Sequence, residues 1–293
     1  MATSDICTPA AEMPWPVLSP FRMRPGLARL DAATAPLLFL RDALAPVYAA
    51  HKRAALRDQR AIAQVGAADP AVLAAIADAY AAQTGVRLSP DADALALDMQ
   101  EDFVILHDEP GEAGPDLRTR FLSVCFPSNW SPAEKLGLDF SAIHAPVADN
   151  ALLQAGSRGI VDLALRQTPM LRHVWLLTPS ADLAQHPQTR RLRWDDALRQ
   201  ADTSGCRLID QVFFRVERQT TLPLPQLQRA VFLIRVVVAP LTKVLDHHPS
   251  RCAELHSALA SMSPAVVAYR GMAAVLERLQ SELSPLSGRL AAD

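Results

Sequence analysis

Two buried-looking arginines and one histidine are the side chains whose types and spacing suggest chemistry. Val212-Phe213-Phe214-Arg215-Val216-Glu217-Arg218-Gln219 reads as a strand, in which alternate side chains point to opposite faces. Arg215, Glu217 and Gln219 then share one face, and Arg218 falls on the other with Val212, Phe214 and Val216. Arg235 repeats the pattern, with Val231-Phe232-Leu233-Ile234 before it and Val236-Val237-Val238 after it. A guanidinium among apolar residues is costly unless an anion or several acceptors meet it. Two sources of that anion stay open: an internal ion pair with Glu101, Asp102 or Glu217, or the carboxylates of a bound ligand. His144 lies in Ile143-His144-Ala145-Pro146-Val147, between apolar residues and just before a proline that stiffens the backbone. A neutral imidazole held there is either a satisfied core residue or a ligand for a metal or haem iron. No H-E-x-x-H pattern occurs among the eight histidines, so a zinc helix is not indicated. Cys125 has no base or positive neighbour in sequence to make it a nucleophile. Neither G-x-G-x-x-G nor a P-loop is present, so reducing equivalents, where needed, are expected from a partner.

The elements that position these residues read as helices, then a mostly β centre, then helices, an α+β order without βαβ alternation. Residues 1–36 carry Pro9, Pro14, Pro16, Pro20, Pro25 and Pro36, which predicts an extended arm laid on the body through Trp15 and Phe21. Residues 37–293 are read as one domain. The stretch up to Gly85 is helical in period, and Asp69, Pro70 and Gly85 mark the cap, first turn and stop of one helix. Strands are predicted at about 102–108, 117–126, 172–178, 208–219 and 229–238. Between them, Ser131-Pro132-Ala133-Glu134 followed by Gly137 reads as a capping box with one or two helical turns. Longer helices are predicted at about 151–167, 250–261 and 264–284.

The 293 residues are half apolar, with 29 basic against 31 acidic side chains and a formal charge of −2. That composition excludes disorder as the main state and gives no electrostatic case for nucleic acid. All the basic residues except Lys52, Lys135 and Lys243 are arginine. Cys7, Cys125, Cys206 and Cys252 form no C-x-x-C pair, which suggests neither a disulfide framework nor a zinc ribbon. The first twenty residues lack a basic cluster, and the longest apolar stretch, Ala230 to Pro240, is interrupted by Arg235. A cytoplasmic protein without a membrane span is the expectation.

Several strings taken together carry a resemblance: Gln100-Glu101-Asp102-Phe103, Cys125-Phe126-Pro127-Ser128-Asn129-Trp130 with Glu134-Lys135-Leu136-Gly137, Ile143-His144-Ala145-Pro146-Val147, Arg215-Val216-Glu217-Arg218-Gln219-Thr220, and Tyr269-Arg270-Gly271. In this order, from about residue 20 to about 284, the chain resembles the haem-dependent oxidative N-demethylase family. The resemblance implies a PAS-like antiparallel sheet of about five strands, flanked by N- and C-terminal helices, that buries a b-type haem in its concave side. The activity it implies is oxidative removal of a methyl group from a small amine such as dimethylamine with dioxygen, giving formaldehyde. Electrons would come from NADPH through a separate flavin and iron–sulfur reductase, with tetrahydrofolate as a possible acceptor of the formaldehyde and a hetero-oligomer as the assembly. Carried over by residue, His144 becomes the axial iron ligand. Arg215, Arg218 and Arg235 become partners of the haem propionates or residues that fix the site. Glu217 and Asp102 either pair with an arginine or attract a cationic amine. Trp130 and Lys135 border the short turn that orients the His144 loop.

The chain departs from the family in three places. Arg172-His173-Val174-Trp175 lacks the asparagine that often stands before the tryptophan, Ala148 stands where a second proline is commoner, and Arg270 replaces a more usual lysine. Two other readings follow, a haem-binding PAS sensor without turnover and a haem-free structural subunit that keeps the fold.

Overall fold

Strands whose side chains are apolar on both faces must be covered on both sides, and the two longest strands of this chain are of that kind. The computed structural model describes residues 6–24, 26–30, 37–110, 116–248 and 250–289. Its strands are β1 (Ala28–Arg29), β2 (Gln64–Gly66), β3 (Asp102–Glu109), β4 (Asp116–Ser123), β5 (Met170–Thr178), β6 (Phe213–Leu224) and β7 (Arg229–Pro240). They form one antiparallel sheet in the order β1-β5-β6-β7-β3-β4-β2. The five long strands correspond to the five predicted runs, and the first and last of them, β3 and β7, are neighbours at the centre, as in a PAS-like sheet. The sheet has seven strands rather than five because β1 and β2 add two short edges that carry too few residues to show a period.

Several boundaries differ from the sequence expectation for identifiable reasons. Residues 124–126 leave β4 because the Val124 N–H goes to the Ala63 carbonyl and the Phe126 N–H to Asp102, at 2.8 Å each. Leu208–Gln211 is a 3-10 turn, so β6 begins at Phe213. It then runs on through Pro223, beyond the last β5 pair at Leu171 and Thr220, where a missing N–H is tolerated at an edge. The helix expected at 151–167 breaks at Gly156 into α6 (Ala151–Ala155) and α7 (Ser157–Val161), followed by a π-helical turn at Asp162–Gln167. The C-terminal helix divides at Gly271, whose φ of 65° only glycine adopts readily, into α11 (Pro264–Tyr269) and α12 (Leu276–Arg289). Residues 132–135 form a 3-10 turn, but the Ser131 side chain makes no capping bond.

The helix cap at Asp69 is as predicted: its side chain accepts from the Ala71 N–H, Pro70 opens α3 (Pro70–Thr84), and Gly85 closes it at φ 74°. Together with α1 (Ala45–Asp58), α2 (Arg60–Ala63) and α4 (Ala92–Asp98), α3 covers the sheet around Phe103, Ile105, Val231 and Leu233. The same face at its other end, around Trp175, Phe214, Val216 and Val237, is covered by α8 (Trp194–Ser204), α9 (Leu241–Asp246), α10 (Ser250–Ala260), α11 and α12. In the described part of the arm, Trp15 lies 5.0 Å from the Phe214 ring and Phe21 meets Trp175 edge-on at 6.0 Å. The arm residues 1–5, 25 and 31–36, which include Pro25 and Pro36, lie outside the described residues. No helix among the described residues is long and apolar enough to cross a membrane.

β3 begins opposite Ile234, so beyond that point β7 has an open edge. Tyr48 of α1 donates its hydroxyl to the Val236 carbonyl at 2.5 Å, and the Thr8 N–H reaches the Val238 carbonyl at 2.8 Å. One turn along α1, Lys52 donates to the Glu101 carbonyl at 2.6 Å and pairs with Asp102 at 3.1 Å, both side chains being essentially inaccessible. Removing one partner of such a pair leaves a buried charge without compensation. Lys52→Ala is therefore expected to destabilise the fold by about 3–5 kcal/mol, read as a lower urea midpoint; a loss under about 1 kcal/mol, the range of exposed ion pairs, would show that the pair does not hold α1.

Candidate functional site

The pairing of β5 with β6 decides which side chains share a surface. Arg172 stands opposite Gln219, Val174 opposite Glu217, and Leu176 opposite Arg215. With a period of two, these six residues occupy one face. His173, Arg218 and, across β7, Arg235 project from the other, since His173 pairs with Arg218 and Arg218 with Arg235. The expectation that Arg215, Arg218 and Arg235 serve one site is thus corrected by register: the sheet separates Arg215 from the other two.

Each of those three guanidinium groups meets protein atoms. Arg215, fully buried, donates to Ser128 Oγ at 2.8 Å and to the carbonyls of Asp182, Phe126 and Leu183 at 3.1, 3.0 and 2.8 Å. It ties the Phe126–Trp130 loop and the 180–186 loop to β6. The same two loops also bind each other, Asn129 N–H to the Gln185 carbonyl at 2.9 Å and Gln185 N–H to the Pro127 carbonyl at 3.0 Å. Arg218 donates to the carbonyls of Leu37 and Leu38. Arg235 pairs with Asp42 at 2.8 Å and lies 3.7 Å from the centre of the Tyr48 ring. The partner of Arg235 is therefore Asp42, which no sequence pattern singled out. Glu101 accepts the Leu40 N–H at 2.8 Å, and burial pushes its carboxyl up. Asp102 is engaged by Lys52 and the Phe126 N–H. Burial, with Asp102 beside it, pushes the Cys125 thiol up to about 12, so it is a poor nucleophile.

His144 ends α5 (Phe140–His144), a helix of little more than one turn that Asp139 caps by accepting the Ala142 N–H at 2.7 Å. The imidazole packs on the Phe140 ring at 4.1 Å, and its Nδ1 lies 2.7 Å from the Phe140 carbonyl. A carbonyl only accepts, so Nδ1 carries the proton and the Nε2 lone pair faces outward. A backbone carbonyl on the far ring nitrogen is the arrangement that orients histidine ligands of metals. The segment is held from several sides: Asn150 donates to the His144 carbonyl at 2.9 Å, Gln154 to the Ser141 carbonyl at 3.0 Å, and Lys135 to the Ile143 carbonyl at 3.4 Å. Lys135 thus holds the His144 helix through the backbone, while Trp130 is half-buried and packs between the two core clusters beside this loop.

Glu217, only 6% exposed, accepts from Gln219 at 2.7 Å. Arg172 is near enough for its charge to act on His144 and for Glu217 to act on it. Its Nε is sealed from solvent without a hydrogen-bond partner. Tyr269, about half exposed, is raised by desolvation, with Arg270 opposing and Glu217 adding to the shift. Arg270 has its guanidinium 4.7 Å from both the Phe21 and Trp175 rings. Three residues that sequence reasoning did not rank emerge here: Arg172 and Gln219 share the face of Glu217, and Tyr269 on α11, which covers the other face, is near enough to feel the Glu217 charge. The register of β5 on β6 is the signal that finds the first two, and a single strand read alone does not contain it. Val174, where the asparagine is missing, lies directly opposite Glu217.

A model of the haem-dependent oxidative N-demethylase, alpha subunit-like, family matches residues 75–280. The chain belongs to this family. The match spans about seven-tenths of the 293 residues and takes in His144, Arg172, Glu217 and Tyr269, but leaves out the arm and α1. Comparison with curated proteins found no match. The family's haem suits what the residues present. Among the described residues no three His, Cys, Asp or Glu side chains converge as a bare ion needs, whereas one imidazole with an outward lone pair suits an iron already held by a porphyrin. The Arg172 charge, which acts on His144, suits a negative group there.

Burial is the main cause that lowers the His144 pKa, with Arg172 and Lys135 adding to it against the Phe140 hydrogen bond. Its imidazole is neutral at pH 7. A histidine lowered on folding binds fewer protons folded than unfolded, so its contribution to stability is complete above about pH 6.5 and falls as pH drops below that value. Nitrogen-15 NMR of the histidines is expected to show His144 as the Nδ1-protonated tautomer with a titration below that of an exposed histidine; an ordinary titration or the opposite tautomer would contradict the assignment of its lone pair.

Proposed function

We propose that the chain is the haem-binding subunit of an oxidative N-demethylase and that His144 Nε2 would hold the haem iron. The observation that carries this reading is the imidazole locked at Nδ1 by the Phe140 carbonyl, which leaves Nε2 free to bind iron. When bound, the haem supplies oxidation of an N-methyl group by dioxygen and two electrons, with one oxygen leaving in formaldehyde and the other as water. The electrons are assigned to NADPH through a flavin and iron–sulfur reductase, tetrahydrofolate is an acceptor for the formaldehyde, and the compartment is the cytoplasm. The family's description as alpha-subunit-like supports a hetero-oligomer.

The chain's own residues supply position and charge. Glu217 attracts the ammonium of a small amine, and Gln219 fixes the carboxylate while leaving one oxygen available. Arg215 acts by pinning the two loops beside the site, and Asp102 by pinning the start of the Phe126–Trp130 loop to β3 and α1. Both are positioning residues in this reading. Arg218 and Arg235 serve the opposite face of the sheet. Lys135 and Asn150 hold the His144 helix through its backbone carbonyls.

Val174 opposite Glu217 supports a second reading, a haem subunit without turnover, because an apolar side chain replaces an amide next to the carboxylate. Reconstitution distinguishes the two. The purified chain is expected to take up one haem per molecule, with a Soret band that shifts on reduction, and to release formaldehyde from a dimethylammonium substrate when a reductase is supplied. Haem uptake without formaldehyde from any of a series of N-methyl amines would favour the second reading, and a folded chain that takes up no haem would overturn both.

A further inference from the structure

Arg172 is set apart from the other inward-facing arginines of the sheet. Arg215 spends its donors on Ser128 Oγ and three carbonyls, Arg218 donates to two carbonyls, and Arg235 pairs through Nη2 with Asp42 and lies on the Tyr48 ring, its Nε and Nη1 being buried without a hydrogen-bond partner. Arg172 has no hydrogen bond, ion pair or ring contact among the described residues, and its Nε is closed off from water. Leaving a guanidinium donor both desolvated and unpaired is costly. Glu217, the nearest carboxylate by strand register, stays outside ion-pair contact and is bound by Gln219. The fold therefore leaves a forked donor without a partner on the sheet face that carries Glu217, near enough for its charge to act on His144, so its natural partner comes from beyond the described residues. A planar fork of this kind matches a carboxylate with two parallel N–H bonds.

We propose that Arg172 binds a carboxylate of the ligand seated on this face. The carboxylate belongs either to a propionate of the haem or to an N-methylated amino acid whose ammonium meets Glu217. The inference rests on the haem reading above. Loss of a charge-assisted pair at such a site weakens binding about ten- to a hundredfold.

The test titrates the full chain with haem and with haem dimethyl ester, which carries no free carboxylate, for the native protein and for Arg172→Gln. A native preference for free haem of about tenfold or more that disappears in Arg172→Gln assigns Arg172 to a propionate. Equal binding of both porphyrins, together with a haem spectral shift on adding N-methylglycine but not dimethylamine that is lost in Arg172→Gln, assigns it to the substrate's carboxylate. Where the variant folds poorly, as circular dichroism would show, Arg172→Lys keeps the charge without the fork and is expected to bind with intermediate strength. Haem bound equally, as acid or ester, by native and variant proteins, with no dependence of N-methylglycine binding on Arg172, overturns the inference and leaves the His144 assignment standing. No haem bound by the native chain overturns the inference and the haem reading together.

Discussion

The antiparallel register of β5, β6 and β7 is the constraint on which the rest of the structure depends. Both faces of β6 and β7 are buried, so a slip of one residue would exchange every inward and outward side chain at once. In the register that forms, Phe214, Val216, Val237 and Ala239 go into the cluster under the C-terminal helices, and Arg218 and Arg235 share that face at the end nearer α1. The opposite face receives Arg215, Glu217, Gln219 and Arg172. Two buried cations directly opposed on neighbouring strands are unfavourable by themselves, which explains why Arg218 and Arg235 have carbonyls, Asp42 and an aromatic face around them. The polar residues of the sheet are divided by function as well as by direction, one set holding the N-terminal segment and the other forming the candidate site.

What that face can do depends on how firmly its surroundings are fixed. Arg215 fastens two loops to β6 through four acceptors from distant parts of the chain, and Asp102 links the first of those loops to β3 and, through Lys52, to α1. His144 belongs to a helix too short to be stable alone. Its position is imposed by the Asp139 cap, the Phe140 ring and carbonyl, and donors from Lys135 and Asn150. A nitrogen held in this way would lose little freedom on binding a metal, and precise placement of one group is what a site built around a cofactor requires of the protein.

Much of the architecture was legible in the residue pattern. The α+β order, the five long strands and the Asp69–Gly85 helix follow from period, caps and turn residues, which act over a few positions. The breaks at Gly156 and Gly271 were harder to see because the apolar spacing continues through them. Alternation on β6 separated Arg215 from Arg218, but the alignment of Arg235 with Arg218 is a relation between strands, and so is the approach of Arg172 to Glu217. Partners distant in sequence, such as Asp42 for Arg235 and Lys52 for Asp102, have no local signal at all. His144 was visible as an unusual histidine on a stiff segment, while the carbonyl that sets its tautomer lies one helical turn earlier and becomes evident only once that turn is known to form.

The central proposal is that His144 Nε2 holds the haem iron. Resonance Raman spectroscopy of the ferrous, haem-loaded protein tests it most directly, with native protein compared to His144→Gly before and after adding imidazole. The account predicts an iron–histidine stretching band in the native protein that is absent in the variant and restored by imidazole entering the vacated space. An unchanged band in His144→Gly would contradict the account, because another residue would then hold the iron.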